Sequence, residues 1–199
     1  MKLFKNIKKW LEDQEHLFYL FLFILIVPNI VLCFTEPLSF IAKVCNVLLP
    51  FGCYYLLMTL SRNCGKMLWI LFLFLFFGAF QIVLLYLFGQ SIIAVDMFLN
   101  LATTNVTEAS ELLNNLWPAI ILVCVIYIPT IVIAAIGCKK RVHLTPVFRK
   151  KMACTGLIIG LVSYGLTFTA TNRNTGSYKL QYDVFPVNIY YNLRFAVKK

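Results

Sequence analysis

Asp96, Asn100, Thr104 and Glu108 stand four residues apart between two long apolar runs. On an α-helix that spacing carries them up one face with a drift of about 40° per step. An amide and a hydroxyl donate hydrogen bonds to phosphate oxygen, and a carboxylate pairs with an ammonium group. The chemistry such a column suits is the grip of a zwitterionic headgroup: Asn100 and Thr104 on the phosphodiester, Glu108 on the amine. Phosphatidylethanolamine presents those two groups side by side. The solvated face of an ordinary interfacial helix accounts for the same pattern and stands as the alternative.

The neighbours of the column define the element that must carry it. Projected on a helix, Asp96, Asn100, Thr103, Thr104, Thr107, Glu108, Ser110 and Glu111 fall within an arc of about 160°. Phe98, Leu99, Leu101, Ala102, Val106, Ala109, Leu112 and Leu113 occupy the other side. The pattern predicts an amphipathic helix over about residues 94–114, lying along the membrane-water boundary. Gly89 would release the chain before it, and Pro118 would start the helix after it.

A boundary of that kind requires a bilayer, and the composition supplies the argument for one. The 199 residues are 61% hydrophobic and 13% charged, with a mean hydropathy of +0.83, outside the balance of a soluble domain. Five runs are long enough to cross as helices, about 17–34, 40–60, 67–88, 117–136 and 152–170. The expected fold is all-α, a five-span polytopic bundle over residues 1–170 with an outer amphipathic helix between spans three and four. The basic stretch before the first run resembles a signal sequence, but the run is long and no small-residue cleavage site comes after it, so it reads as a retained anchor.

Twelve of the 18 basic residues fall in segments that share a side if the N-terminus is cytoplasmic. The densest group is CKKRVHLTPVFRKK, between spans four and five. Positive charge opposes translocation, so this side is expected inside and the C-terminus outside, in a bacterial inner membrane. The net charge of +10 then reports topology and attraction to anionic lipid, and nucleic acid is not an expected partner. The short turns TEPLS and SRNCGK force spans one to three to be antiparallel neighbours.

Other chemistry is sparse. The seven cysteines show no metal-ligand spacing, and His16 and His143 are the two histidines, so no metal or nucleophile site is expected in this chain. Cys33 and Cys45 lie near one boundary and could pair. Gly156 and Gly160 form a GxxxG, which predicts a close helix contact without saying with what. Gln81 is the deepest polar residue, and neither a polar pathway nor an internal repeat suggests a transporter. The segment 171–199 reads both as an interfacial aromatic belt and as a linker that braces a further domain.

Asn100, Thr104 and Glu108 within DMFLNLATTNVTEASELL, with the fourth run after them, resemble the outer-loop motif of the lipid A phosphoethanolamine transferases, the family that includes the mobile colistin-resistance enzymes. The order of apolar runs, the basic fourth loop and the ending DVFPVNIYYNLRFAVKK are similar to that family's membrane domain and exit linker. The resemblance implies that Asn100, Thr104 and Glu108 bind phosphatidylethanolamine and that lipid A is the acceptor. It also implies a sulfatase-like catalytic domain after Lys199, which would carry zinc and a threonine nucleophile, so that the present chain alone would be inactive. A noncatalytic membrane protein whose outer loop binds another protein is the competing expectation.

Overall fold

The structure, a computed structural model, describes residues 13–88, 105–139, 143–173 and 178–198. Among these the chain is all-helical: α1 Gln14–Thr35, α2 Phe40–Leu60, α3 Cys64–Ile70, α4 Phe72–Phe88, α5 Val106–Lys139, α6 Pro146–Arg173, α7 Leu180–Asp183 and α8 Val187–Lys198. Four stretches, Gln14–Thr35, Phe40–Leu60, Leu116–Lys139 and Pro146–Thr171, are long and apolar enough to cross a membrane. The pair α3 and α4 makes a fifth if its two parts count as one span.

That pair departs from the expected continuous run over 67–88. α3 and α4 meet at Leu71 with a bend of 66°, and the Leu71 amide donates to the Met67 carbonyl at 2.9 Å. No glycine or proline marks the break. Its cause is tertiary: α3 is drawn against α5, where a Cβ on Gly65 would collide with the Ala134 carbonyl and lie 2.8 Å from the Cys138 nitrogen. Only a residue without a side chain permits that approach.

The same device joins α2 to α6, the most extensive helix pair. A Cβ on Gly52 would come within 2.7 Å of the Gly160 nitrogen, and one on Gly156 within 2.6 Å of the Tyr55 Cβ. The GxxxG of α6 therefore has its partner within the chain. α1 packs on α2, α4, α3 and α5 and buries Leu17, Phe18, Phe21, Leu22 and Leu25. Phe18 meets Tyr19, Tyr55 and Phe148 edge to face, the arrangement that ring quadrupoles favour.

The outward surface agrees with a lipid solvent. Ile121, Val125, Ile128, Val132 and Ile136 form an exposed stripe along α5, and Leu157, Ile158, Leu161 and Val162 are exposed on α6. Patches of this extent in water would drive association, so they mark a membrane surface. Gln81, by contrast, is fully buried in the bundle.

α5 is one helix of 34 residues. Pro118, expected to start the fourth span, lies inside it, as does Pro129. At 1.5 Å per residue α5 is about 51 Å long, some 20 Å more than a hydrocarbon core is thick. Gly65 against Ala134 and Gly137 fixes one end of α5, and the Tyr127 hydroxyl near Gly78 fixes its middle. α5 therefore runs antiparallel to α4, with its N-terminal turns toward the C-terminal end of α4. Arg62, Lys66, Lys139 and Arg149 mark the basic end of the bundle, and the C-terminal segment marks the opposite, tail end.

Candidate functional site

Asn100 and Thr104 lie outside the described residues, as does the first part of the predicted amphipathic helix. Glu108 falls in the first turn of α5, immediately after Asn105. An acid at the start of a helix is stabilised by the unsatisfied amides there. The Asn-x-x-Glu spacing of Asn105 and Glu108 is also that of a capping box. Glu108 thus has a local reason to stand where it does, beside any role toward a ligand.

The described part of the tail end is built by residues far apart in the sequence. The Asn29 amide of α1 donates to the Phe185 carbonyl at 2.7 Å and to the Asn46 carbonyl at 3.0 Å. The Asn46 side chain of α2 donates to the Asp183 carbonyl at 2.6 Å, and the Tyr178 hydroxyl donates to the Asn46 Oδ1 at 2.7 Å. Two asparagines on spans thereby clasp three points of the segment beyond α6. Asn29 is 1% exposed and Tyr178 1%, so the bonds of Asn29 and of Tyr178 are buried and costly to leave unmade, while that of Asn46 to Asp183 is half-buried.

Apolar packing closes the rest. Phe185 and Ile189 join Leu32, Leu84 and Leu85, while Tyr178 and Val184 join Ala42, Cys45 and Ala170. α8 turns Asn188, Ile189 and Asn192 inward and leaves Tyr190, Leu193 and Val197 exposed. The Phe185–Pro186 peptide is cis. Asp183 accepts from the Lys179 amide at 2.6 Å, closing the turn of α7. Burial lifts its carboxyl above the ordinary value, with the Lys179 amide and charge pulling the other way. Burial likewise raises Tyr178, helped by the neighbouring Cys45 and Asp183.

The basic end is joined differently. Gln14 Oε1 accepts from the Cys64 amide at 3.0 Å, and the Asn63 side chain donates to the Gly137 carbonyl at 2.9 Å. Arg149 reaches across to the last carbonyls of α2, donating to Thr59 at 2.9 Å and Leu60 at 3.0 Å. These bonds satisfy backbone groups that a helix end leaves open.

Among the described residues no three His, Cys, Asp or Glu side chains gather to hold a metal ion. Cys33 and Cys45 are both free thiols, the second buried. No family model, curated protein or solved structure matches the chain. The geometry offers a helical bundle whose tail end is roofed by the segment 178–198. In the sequence, nothing joins Asn29 and Asn46 to the aromatics of the tail. The polar character of Asn29 and Asn46 inside apolar spans was the available signal that they met a partner.

Proposed function

We propose that the chain is the membrane domain of a phosphoethanolamine transferase, crossing the bacterial inner membrane five times with its N-terminus cytoplasmic. The observation that carries this reading is the column Asn100, Thr104 and Glu108 in the sequence that leads into α5. It is supported by the length of α5, whose first turns, Glu108 among them, extend past the thickness of a hydrocarbon core. The roof formed by residues 178–198 lies at the same end, which suits a chain that leaves the membrane toward a further domain.

On this reading Asn100 and Thr104 donate to the phosphodiester of phosphatidylethanolamine, and Glu108 pairs with its ammonium group. A threonine of a sulfatase-like domain beyond Lys199 attacks the phosphorus. The bond to diacylglycerol breaks, and diacylglycerol leaves with the proton. A lipid A phosphate oxygen then takes the phosphoethanolamine group and frees the threonine. Zinc belongs to that further domain and would stabilise charge on the transferring group. The part of the present chain is to hold donor and acceptor lipids at one interface, which lowers the entropic barrier to transfer. The added ethanolamine cation would weaken attraction of cationic peptides to the lipid A surface.

The test separates the ligand role of Glu108 from its place at the helix start. Glu108→Gln preserves a capping-box partner but removes the charge. In the protein expressed from its whole gene, Glu108→Gln and Asn100→Ala should each lower lipid A modification by roughly ten-fold or more, the scale of one charge-assisted hydrogen bond. Full modification by both variants, read by mass spectrometry of lipid A, overturns the proposal. In that case a noncatalytic protein that binds a partner through this loop becomes the better account.

A further inference from the structure

At the break at Leu71 a shallow crevice without enclosed space lies where α3, α4 and α5 meet, lined by Leu68, Trp69, Phe72, Leu75, Ile131 and Ala134. Its lining is apolar. Trp69 and Phe72 stack at its rim, with ring centroids 5.8 Å apart and planes at 20°. Trp69 is 45% exposed and Phe72 42%. With no enclosed space it cannot hold a compact solute, but a flexible hydrocarbon chain can lie along it.

Charge stands at one end of the crevice. Lys66, Trp69 and Ile70 are exposed and occupy one face of α3, since they are three and four residues apart. Lys139 is exposed at the end of the α5 stripe formed by Ile128, Val132 and Ile136. Contact of Gly65 with Ala134, Gly137 and Cys138 draws these two lysine-bearing turns to a common seam. The described carboxylates at this end are Asp13, which caps α1, and Glu15 in its first turn, and Asp13 faces His16 at 3.3 Å. The seam therefore keeps its positive character.

We infer that the α3–α4 break is a binding site for one anionic phospholipid, with an acyl chain along Trp69, Phe72 and Ile131 and the phosphate between Lys66 and Lys139. Lysines at the headgroup level attract anionic lipid, and the aromatic rim sits where amphipathic rings favour the interface. A neutral or zwitterionic lipid would gain the apolar contact but not the charge. Selection by headgroup is what distinguishes this site from ordinary contact with the surrounding lipid.

The experiment uses the full chain with Trp10→Phe and Trp117→Phe, so that Trp69 is the remaining indole, in phosphatidylcholine vesicles. Brominated phosphatidylglycerol should quench Trp69 at least three-fold more effectively per mole than brominated phosphatidylcholine. The excess should vanish in Lys66→Gln/Lys139→Gln and persist in Lys66→Arg/Lys139→Arg, which folds under the same packing and keeps both charges. Equal quenching by the two lipids, an excess that survives in the glutamine variant, or its loss in the arginine variant overturns the site.

Discussion

The two ends of the bundle are closed by opposite means. At the basic end, helices joined by short loops satisfy one another's terminal backbone groups: Asn63 reaches Gly137, and Arg149 reaches Thr59 and Leu60. At the tail end, two asparagines inside apolar spans hold a segment far along the chain, through Tyr178, Asp183 and Phe185. The basic end is a joint between spans, and the tail end is a lid made from the C-terminal segment. A fault in the first should loosen helices, and a fault in the second should release one segment and leave the bundle intact.

Substitutions can break that contrast, beginning with the most severe. Gly65→Leu should cost about 3 kcal/mol or more, because a side chain there meets backbone of α5 that cannot yield. The measurement is loss of the folded bundle on heating in detergent, and normal stability would remove backbone contact as the basis of the joint. Asn46→Leu should leave the buried Tyr178 hydroxyl and the half-buried Asp183 carbonyl without these partners, at a cost of about 2 kcal/mol. Hydrogen exchange should then rise over residues 178–189 and stay unchanged at 63–68. Faster exchange at both places would mean that the lid and the joint are one cooperative unit.

Arg149→Met tests the milder part of the basic end. Loss of its bonds to the Thr59 and Leu60 carbonyls, one of them solvent-exposed, should cost about 1 kcal/mol. The expected signature is faster exchange at the end of α2 with the lid still protected.

The smallest effect is the pH response of the lid. The Asp183 carboxyl is raised above its ordinary 3.8 when the segment is docked. It therefore holds its proton more tightly docked than released, so docking is favoured at acid pH and loosens as the pH climbs through the carboxylate range. Asp183→Asn keeps an acceptor for the Lys179 amide and should flatten the response. A lid whose exchange is independent of pH in the parent protein would show that Asp183 remains solvated.

Much of the bundle was legible because its signals are local. The runs 17–34, 40–60, 117–136 and 152–170 all fall inside helices of the structure, since about twenty apolar residues have few other ways to satisfy their backbone in lipid. The run 67–88 was legible as apolar but not as broken, because the bend at Leu71 answers to the approach of Gly65 to another helix and not to any residue at the bend. Of the proposed donor-lipid column, Glu108 lies at the start of α5, and Asn100 and Thr104 lie outside the described residues. Their spacing was visible in the sequence, whereas the continuity of Glu108 with a helix of 34 residues was not. Pro118 reads as a helix start, yet a proline one turn or more inside a helix is tolerated where neighbouring groups relieve the lost bond.

Hydropathy and charge determined by themselves that this chain is helical, suited to a membrane and basic at one end, because each of those properties is a sum over neighbouring residues. Which glycine meets which backbone, where the third run breaks, and that Asn29 and Asn46 receive the tail were decided by tertiary structure. Those contacts join residues more than a hundred positions apart in the case of the tail. Their energy depends on distance and burial, which no stretch of sequence carries until the spans have packed.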